Sequence, residues 1–228
     1  MVLHVFLVDM ELEYDEPQEM CKCPPKCHLC IDACPTHALS EPFYVEPSLC
    51  AGFCNWMRKV DNDPRFDPVI PHEIRPMLGT HIHGCDACQE ACPRNRKKLK
   101  AEYPKDPFLE ILKTRLTLEE ILLTDDEHYI DYIYPVMHNY LRDKRYFQRN
   151  AAIALGNTED TAHIPALMQA MQLPDALVRM HAAWALGRIG GIDAEKGLQN
   201  CRDAETDPNV LKEITQALEA IAEKNREN

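Results

Sequence analysis

Cys27-His-Leu-Cys-Ile-Asp-Ala-Cys-Pro35 and Cys85-Asp-Ala-Cys-Gln-Glu-Ala-Cys-Pro93 carry the same cysteine spacing twice. This spacing is typical of proteins that bind two 4Fe-4S clusters, in which the cysteine before the proline points to the other cluster. Closely spaced thiolates can occupy neighbouring corners of one cluster, and a distant cysteine must then complete it. The repeated run therefore predicts a bacterial-ferredoxin-like domain with two clusters.

Each run lacks one cysteine of a complete ligand set, so residues outside the runs must supply it. Cys23 stands four residues before Cys27, whereas the second run has only Cys50 or Cys54 to draw on. The predicted ligands of one cluster are Cys23, Cys27, Cys30 and Cys92, and those of the other are Cys34, Cys50, Cys85 and Cys88. Cys21 is an alternative to Cys23, and Cys54 is an alternative to Cys50.

Composition narrows the class of protein. The chain has 228 residues, 25 Lys and Arg against 37 Asp and Glu, and 11 cysteines. A net charge of −12 argues against a generally basic nucleic-acid binder. No stretch reads as a signal peptide or a membrane span, so we expect a cytoplasmic protein without a membrane partner, in which clustered thiols bind metal rather than form disulfides.

A structural zinc site is the competing interpretation of the cysteines, because two CxxC pairs can build a tetrahedral site. Zinc would give no role to the two cysteines that precede Pro35 and Pro93. The spacing therefore favours iron–sulfur clusters.

The chain divides into four segments of different character. Residues 1–19 are acidic, with an apolar run at Val5–Val8 that could form a strand; residues 20–108 are rich in cysteine and proline, which permits only short helices. Residues 109–140 show helical periodicity and predict connecting helices. Residues 141–228 contain an internal repeat. We expect a mainly α protein, a double-cluster domain followed by a short α-solenoid of HEAT-like repeats.

The repeat is visible as Asn150-Ala-Ala-Ile-Ala-Leu-Gly156 and His181-Ala-Ala-Trp-Ala-Leu-Gly187, offset by 31 residues, with a weaker copy at 215–221. Such a period is typical of solenoids, in which each helix pair buries its apolar face against its neighbours. Gly156 and Gly187 are expected to end their helices. The alternative is a three-helix bundle with accidental similarity.

Several stretches together resemble the epoxyqueuosine reductase family: residues 27–39, Ile70-Pro-His-Glu-Ile-Arg-Pro-Met-Leu-Gly79, residues 83–95 and Arg149-Asn-Ala-Ala-Ile-Ala-Leu-Gly-Asn157. The resemblance implies tRNA queuosine biosynthesis, an oxidoreductase chemistry that uses cobalamin and two 4Fe-4S clusters. In the family the remote ligand of the second cluster follows shortly after the first CP run. This pattern favours Cys50 over Cys54.

The resemblance covers the part of the family that follows its cobalamin domain, and only Val5–Leu12 resembles the last strand of that domain. No catalytic residue is carried over. We therefore expect an electron-transfer protein that takes electrons from a flavodoxin or ferredoxin and passes them to a corrinoid protein or domain. One alternative is an epoxyqueuosine reductase that acts with cobalamin supplied by another chain. The other is a non-catalytic solenoid that binds tRNA or protein.

Two groups of basic residues are candidates for binding tRNA, which the resemblance implies as a partner of the solenoid. They are Arg94, Arg96, Lys97, Lys98 and Lys100 after the second run, and Arg142, Lys144, Arg145 and Arg149 before the first repeat. A local positive field can bind phosphates even on an acidic protein. The alternative interpretation is a solvated helix face.

Overall fold

Helices and turns make up the structure, a computed structural model that describes residues 7–16, 23–24, 26–56, 67–137 and 142–227. No strand occurs within these ranges, and the mainly α prediction is confirmed. Residues 7–16 have no regular structure, and the Leu7 side chain is fully exposed. Val5 and Phe6, half of the predicted strand, lie outside the described residues.

Short helices and turns form the cysteine-rich part, as its many prolines predict. The α-helices are α1 (Leu29–Asp32), α2 (Ala51–Trp56), α3 (Ala87–Glu90) and α4 (Arg96–Leu99), and 3-10 turns lie at Pro47–Leu49 and Arg75–Leu78. The helix α1 contacts α3, so the two CP runs lie side by side. This pairing places the two halves of each predicted ligand set on neighbouring elements.

The segment predicted to connect the two parts contributes to the core of the repeats. It contains α5 (Pro107–Arg115), α6 (Leu118–Leu122), α7 (Asp126–His128) and a π-helical turn at Tyr129–Ile133. Ile121, Leu122 and Ile133 are buried in the same apolar cluster as the repeat helices. These residues cover the N-terminal end of the solenoid core, next to α8, where apolar surface would otherwise be exposed to water.

The repeats are built by five helices: α8 (Arg145–Thr158), α9 (Ile164–Ala170), α10 (Ala176–Ile189), α11 (Ile192–Ala204) and α12 (Pro208–Glu227). The long helices α8, α10 and α12 contain the three copies of the repeat and pack in that order, with α10 between the other two. Asp175 and Asp207 cap α10 and α12 by accepting hydrogen bonds from backbone N–H groups. The solenoid prediction is confirmed.

The repeat glycines serve close helix packing, and the prediction that they end their helices is wrong. Gly156 lies inside α8 and Gly187 lies inside α10. A Cβ at Gly156 would stand 2.8 Å from Ala185 Cα, and one at Gly187 would stand 2.7 Å from Ala217 Cα. Each glycine therefore lets the next long helix approach. The helix α10 ends at Gly190, which has a φ of 78°.

The cysteine-rich part packs on the outer side of α8. Ile153 of α8 is buried with Cys54, Ile70 and Leu78 in a second, smaller apolar cluster. The helix α8 thus has one face in the repeat core and another against the cysteine-rich part. The helix α8 is therefore one of the elements that join the two halves of the described structure.

Candidate metal centre

The first group of thiols surrounds Cys23. The pKa of the Cys23 thiol is raised by loss of solvent, by a hydrogen bond with the Cys27 thiol, and by the negative charge of neighbouring thiolates. The thiols that act on it are Cys27, Cys30 and Cys92. Cys27 stands two residues before α1, Cys30 lies in its first turn, and Cys92 comes from the turn after α3. The structure thus brings together three thiols from residues 23–30 and one from the second CP run.

The second group surrounds Cys85. Burial raises the pKa of the Cys85 thiol, the backbone N–H of Ala87 lowers it, and three nearby thiolates raise it further. Those three are Cys50, Cys88 and Cys34. Cys50 immediately precedes α2, and Cys34 comes from the first CP run. The membership of both groups coincides with the two predicted ligand sets.

Backbone hydrogen bonds favour the thiolate form of Cys34. Burial alone would raise the pKa of this thiol, but the backbone N–H groups of Leu39, Thr36 and Ala38 point at the sulfur and lower it overall. The Thr36 hydroxyl lies 3.8 Å from the same sulfur and lowers the pKa further. Hydrogen bonds of this kind favour the charged form, which is the form that binds iron. These residues fit the requirements of an iron–sulfur ligand.

Cys54 differs from the eight grouped cysteines. Its side chain is fully buried, its thiol donates to the carbonyl oxygen of Ser48 at 3.5 Å, and burial raises its pKa to about 11. A buried thiol that donates to a backbone carbonyl fits a structural role, whereas Cys50 belongs to the group around Cys85. Cys21, the alternative to Cys23, lies outside the described residues.

The two thiol groups do not have the geometry of a single-ion site. Within the described ranges, no group of three or more His, Cys, Asp or Glu side chains converges closely enough to hold one metal ion. An iron–sulfur cube binds each thiolate through a different iron atom, so its four ligands stand further apart than those around one zinc ion. Each group supplies four thiols, the number of ligands that a 4Fe-4S cube takes, so the donor sets fit two cubes.

The basic residues before the first repeat do not form a free positive surface. Lys144 pairs with Asp126 at 2.7 Å, and Arg145 pairs with Asp143 at 2.6 Å and with Asp175 at 2.9 Å. The exposed Arg142 lies over the ring of Tyr134. Neighbouring carboxylates thus offset the positive charges of Lys144 and Arg145.

Arg149 cannot contact RNA in this structure, which corrects its prediction as a tRNA-binding residue. Its guanidinium is fully buried, and burial lowers its pKa to about 9. It donates to the carbonyl oxygens of Pro68 at 2.6 Å and Asn55 at 3.0 Å. The sequence placed Arg149 beside other basic residues, but only the packing of α8 shows that it points inwards.

The other basic group is exposed. Arg94, Arg96, Lys97, Lys98 and Lys100 lie on the surface in and around α4, directly after Cys92. Within the described residues, no acidic side chain forms an ion pair with Arg96, Lys97, Lys98 or Lys100, in contrast to Lys144 and Arg145. A positive surface therefore lies next to the first thiol group.

Four polar residues that the sequence analysis did not single out hold the two halves together: Arg75, Glu213, Asn150 and Asn157. Arg75 and Glu213 form a buried ion pair at 2.8 Å, and Asn157 of α8 donates to the carbonyl oxygens of Arg75 at 2.8 Å and Gly79 at 2.9 Å. The spacing of Asn150 and Asn157, two turns apart on one helix, was the available signal. The carbonyl groups that Asn150 and Asn157 bind in Ile82 and Gly79 lie 68 and 78 residues away in sequence. A local sequence pattern cannot predict contacts over such separations.

Comparisons with known proteins agree with both halves of the structure. Residues 22–95 match the family of 4Fe-4S double cluster binding domains, and residues 135–219 match HEAT repeats. The epoxyqueuosine reductase of Bacillus cereus is 34% identical over 87% of this chain and 50% of its own length. That of Bacillus subtilis is 31% identical over 96% of this chain and 54% of its own. Over most of its length this chain is therefore similar to about half of an epoxyqueuosine reductase.

Solved epoxyqueuosine reductases share the fold. The structure from Bacillus subtilis has a TM-score of 0.74 at 28% identity, and it covers 92% of this chain and 53% of that chain. A structure of epoxyqueuosine reductase with an epoxyqueuosine-modified tRNA-Tyr stem loop has the same TM-score of 0.74. This chain spans about half the length of the epoxyqueuosine reductases that it matches.

The double-cluster match includes all eight grouped cysteines. The predicted fold class, a double-cluster domain followed by HEAT-like repeats, is therefore confirmed. None of the described helices is long and apolar enough to cross a membrane.

Proposed function

We propose that this chain is an iron–sulfur electron-transfer protein of the epoxyqueuosine reductase family, with two 4Fe-4S clusters. One cluster is held by Cys23, Cys27, Cys30 and Cys92, and the other by Cys34, Cys50, Cys85 and Cys88. The observation that carries the proposal is the gathering of the cysteines into two groups of four, each with members from both CP runs. This exchange of ligands between runs is what two adjacent clusters require.

Each cluster, when bound, accepts and releases one electron. The residues of this chain set the conditions for that chemistry: the thiols supply negative charge, and the N–H groups around Cys34 offset part of it. The two thiol groups share the α1–α3 contact, so two clusters held by them would be neighbours. A donor such as a flavodoxin or ferredoxin would supply electrons to this pair, and a corrinoid protein or domain would receive them.

The test is anaerobic purification followed by iron, sulfide and zinc analysis and electron paramagnetic resonance of the reduced protein. We expect about eight irons per chain, the content of two cubes, and spectra of two magnetically coupled clusters. About one zinc per chain without labile sulfide would contradict the proposal and support a structural zinc site.

A second candidate is an epoxyqueuosine reductase whose cobalamin comes from another chain or segment. The names of the relatives favour it. Turnover of epoxyqueuosine-containing tRNA in the presence of cobalamin, a low-potential reductant and the clustered protein would support this activity. Absence of turnover with a family cobalamin domain added would leave electron transfer as the function.

Binding of tRNA at the exposed basic surface around α4 is a separate part of that candidate. A related structure contains a tRNA stem loop, and the four lysines and arginines without carboxylate partners provide a positive field. We expect the triple variant Lys97→Ala, Lys98→Ala and Lys100→Ala to weaken tRNA binding and to reduce the slope of log affinity against log salt by about one per lost phosphate contact. Filter binding at several salt concentrations measures both.

Lys196→Ala, at an exposed position on α11, is the control because it removes a positive charge far from α4 in sequence. Equal affinities of the triple variant and the control would exclude the α4 surface. The non-catalytic alternative predicts that tRNA binding persists in a Cys30→Ala, Cys88→Ala variant that has lost its iron.

A further inference from the structure

Two asparagines on α8 bind the cysteine-rich part through the same kind of side-chain to backbone hydrogen bonds. Asn150 and Asn157 lie seven residues apart, two turns of the helix, and each donates two hydrogen bonds through its side-chain amide to backbone carbonyl oxygens. The segments that they hold are different. Asn150 holds segments that carry cysteines of the second thiol group, whereas Asn157 holds the turn at Arg75–Leu78 and Gly79, which carries none.

Asn150 joins two segments that are distant in sequence. Its Nδ2 donates to the carbonyl oxygen of Asn55 at 2.9 Å and to that of Ile82 at 2.7 Å. Its Oδ1 accepts from Arg149 Nε at 2.9 Å, which fixes the orientation of the amide. The residue is 2% exposed. Water therefore cannot replace these bonds, and the amide sets the distance between the two carbonyls.

Arg149 strengthens the hold on the first segment. Its guanidinium donates to the carbonyl oxygens of Cys54 at 3.3 Å and Asn55 at 3.0 Å, the last turn of α2. A cation at the carboxyl end of a helix satisfies carbonyls that have no partner within the helix. The end of α2 opposite Cys50 is thus anchored to α8.

The two segments also bind each other directly. Asn55 Nδ2 donates to the carbonyl oxygen of Gly84 at 3.1 Å, and Gly84 immediately precedes Cys85. One turn earlier on the same face of α2, a Cβ at Gly52 would lie 3.5 Å from Cys85 N, so the helix and the Cys85 segment are in contact. The hydrogen bonds therefore run from α8 through Asn55 to the backbone beside Cys85.

We propose that Asn150 is a positioning residue for the second cluster: it fixes the Cys50 helix relative to the Cys85 segment, with Arg149 and Asn55 as its partners. The inference rests on the proposed function, because it takes Cys34, Cys50, Cys85 and Cys88 as the ligands of that cluster. The helix α8, which carries Asn150 and Arg149, then contributes to the second cluster site as well as to the repeats. Groups that orient ligands contribute about tenfold to a hundredfold to metal affinity, although they do not touch the metal.

The experiment compares Asn150→Ala with Asn157→Ala in the full chain, reconstituted anaerobically with iron and sulfide. Both variants lose two hydrogen bonds from the same helix to the cysteine-rich part. Asn150→Ala also loses the bond from Arg149 Nε, so we expect it to lower the thermal unfolding midpoint, followed by circular dichroism, somewhat more than Asn157→Ala does. We expect Asn150→Ala to release iron from one cluster to a chelator at least about tenfold faster than the unmodified chain. Asn157→Ala should release iron at the unmodified rate.

Electron paramagnetic resonance provides the spectroscopic reading. After partial chelation, the reduced Asn150→Ala protein should show one magnetically isolated cluster, because the first cluster keeps its own ligands. Asn55→Ala, which cuts the bond to Gly84 and leaves α8 intact, should give the same result and serves as the second variant if Asn150→Ala does not fold.

The outcomes separate this inference from the proposed function. An unmodified chain that takes up no iron and sulfide would overturn the proposed function itself. Two clusters in the unmodified chain, with equal iron release from the Asn150, Asn55 and Asn157 variants, would overturn the positioning role alone.

Discussion

Cys50→Ser is expected to lower the iron content from about eight to about four atoms per chain, while Cys54→Ser leaves it at about eight. Cys50 belongs to the thiol group around Cys85, and serine is a poor ligand for iron in place of a thiolate. Cys54 is buried and donates to the Ser48 carbonyl, a bond that a serine hydroxyl can keep. Iron and sulfide analysis of the two anaerobically purified variants measures the difference.

The two cysteines lie four residues apart and are of the same residue type, so each variant is the control of the other. A normal iron content in Cys50→Ser together with a halved content in Cys54→Ser would reverse the ligand assignment. Equal losses in both variants would indicate that the segment around α2 fails to fold rather than that one ligand is missing. Thermal unfolding of the repeats distinguishes this case.

Glu213→Gln is expected to destabilise the protein by about 3 kcal/mol or more, because it leaves the charge of Arg75 buried without its carboxylate. The Arg75 and Glu213 side chains are 1% and 5% exposed, and Arg75 Nη1 lies 2.8 Å from Glu213 Oε1. Burial lowers the pKa of Arg75 and the Glu213 carboxylate counteracts that shift. His72 Nε2 stands 2.9 Å from the same carboxylate, which adds a second contact to lose.

Denaturant unfolding of the reconstituted protein gives the change in free energy. Glu159→Gln is the control: Glu159 contacts Arg188 and Lys224 at 2.8 Å and 3.1 Å, but it is 44% exposed. An exposed pair contributes about 0–1 kcal/mol, so this variant should unfold almost as the unmodified chain does. Equal effects of the two substitutions would show that the Arg75–Glu213 pair does not join α12 to the cysteine-rich part.

Local patterns predicted most of the helices and suggested the candidate ligands. The spacing of the two CP runs predicted which cysteines would share a cluster, because a tight turn limits which thiols can face one centre. The 31-residue repeat predicted the solenoid because helix periodicity is a property of neighbouring residues. The repeat glycines were misread for the same reason. A glycine near the end of a pattern predicts a helix end, whereas the approach of Ala185 to Gly156 depends on another helix.

Whether a given side chain points inwards or outwards could not be predicted from the neighbouring sequence. Arg149 and Arg145 are four residues apart in a basic stretch, yet one is buried in the interface and the other is half exposed and paired with carboxylates.

The sequence by itself determined the chemistry of this protein: thiols in a repeated spacing, helices in a repeated period and an acidic net charge. These properties depend on residue type and on short separations along the chain. Only the tertiary structure decided which polar residues bind across the two halves, as Asn150 does to Ile82 and Arg75 to Glu213. Burial and hydrogen bonding between segments 68 and 138 residues apart arise from packing, which brings distant backbone together and excludes water from it.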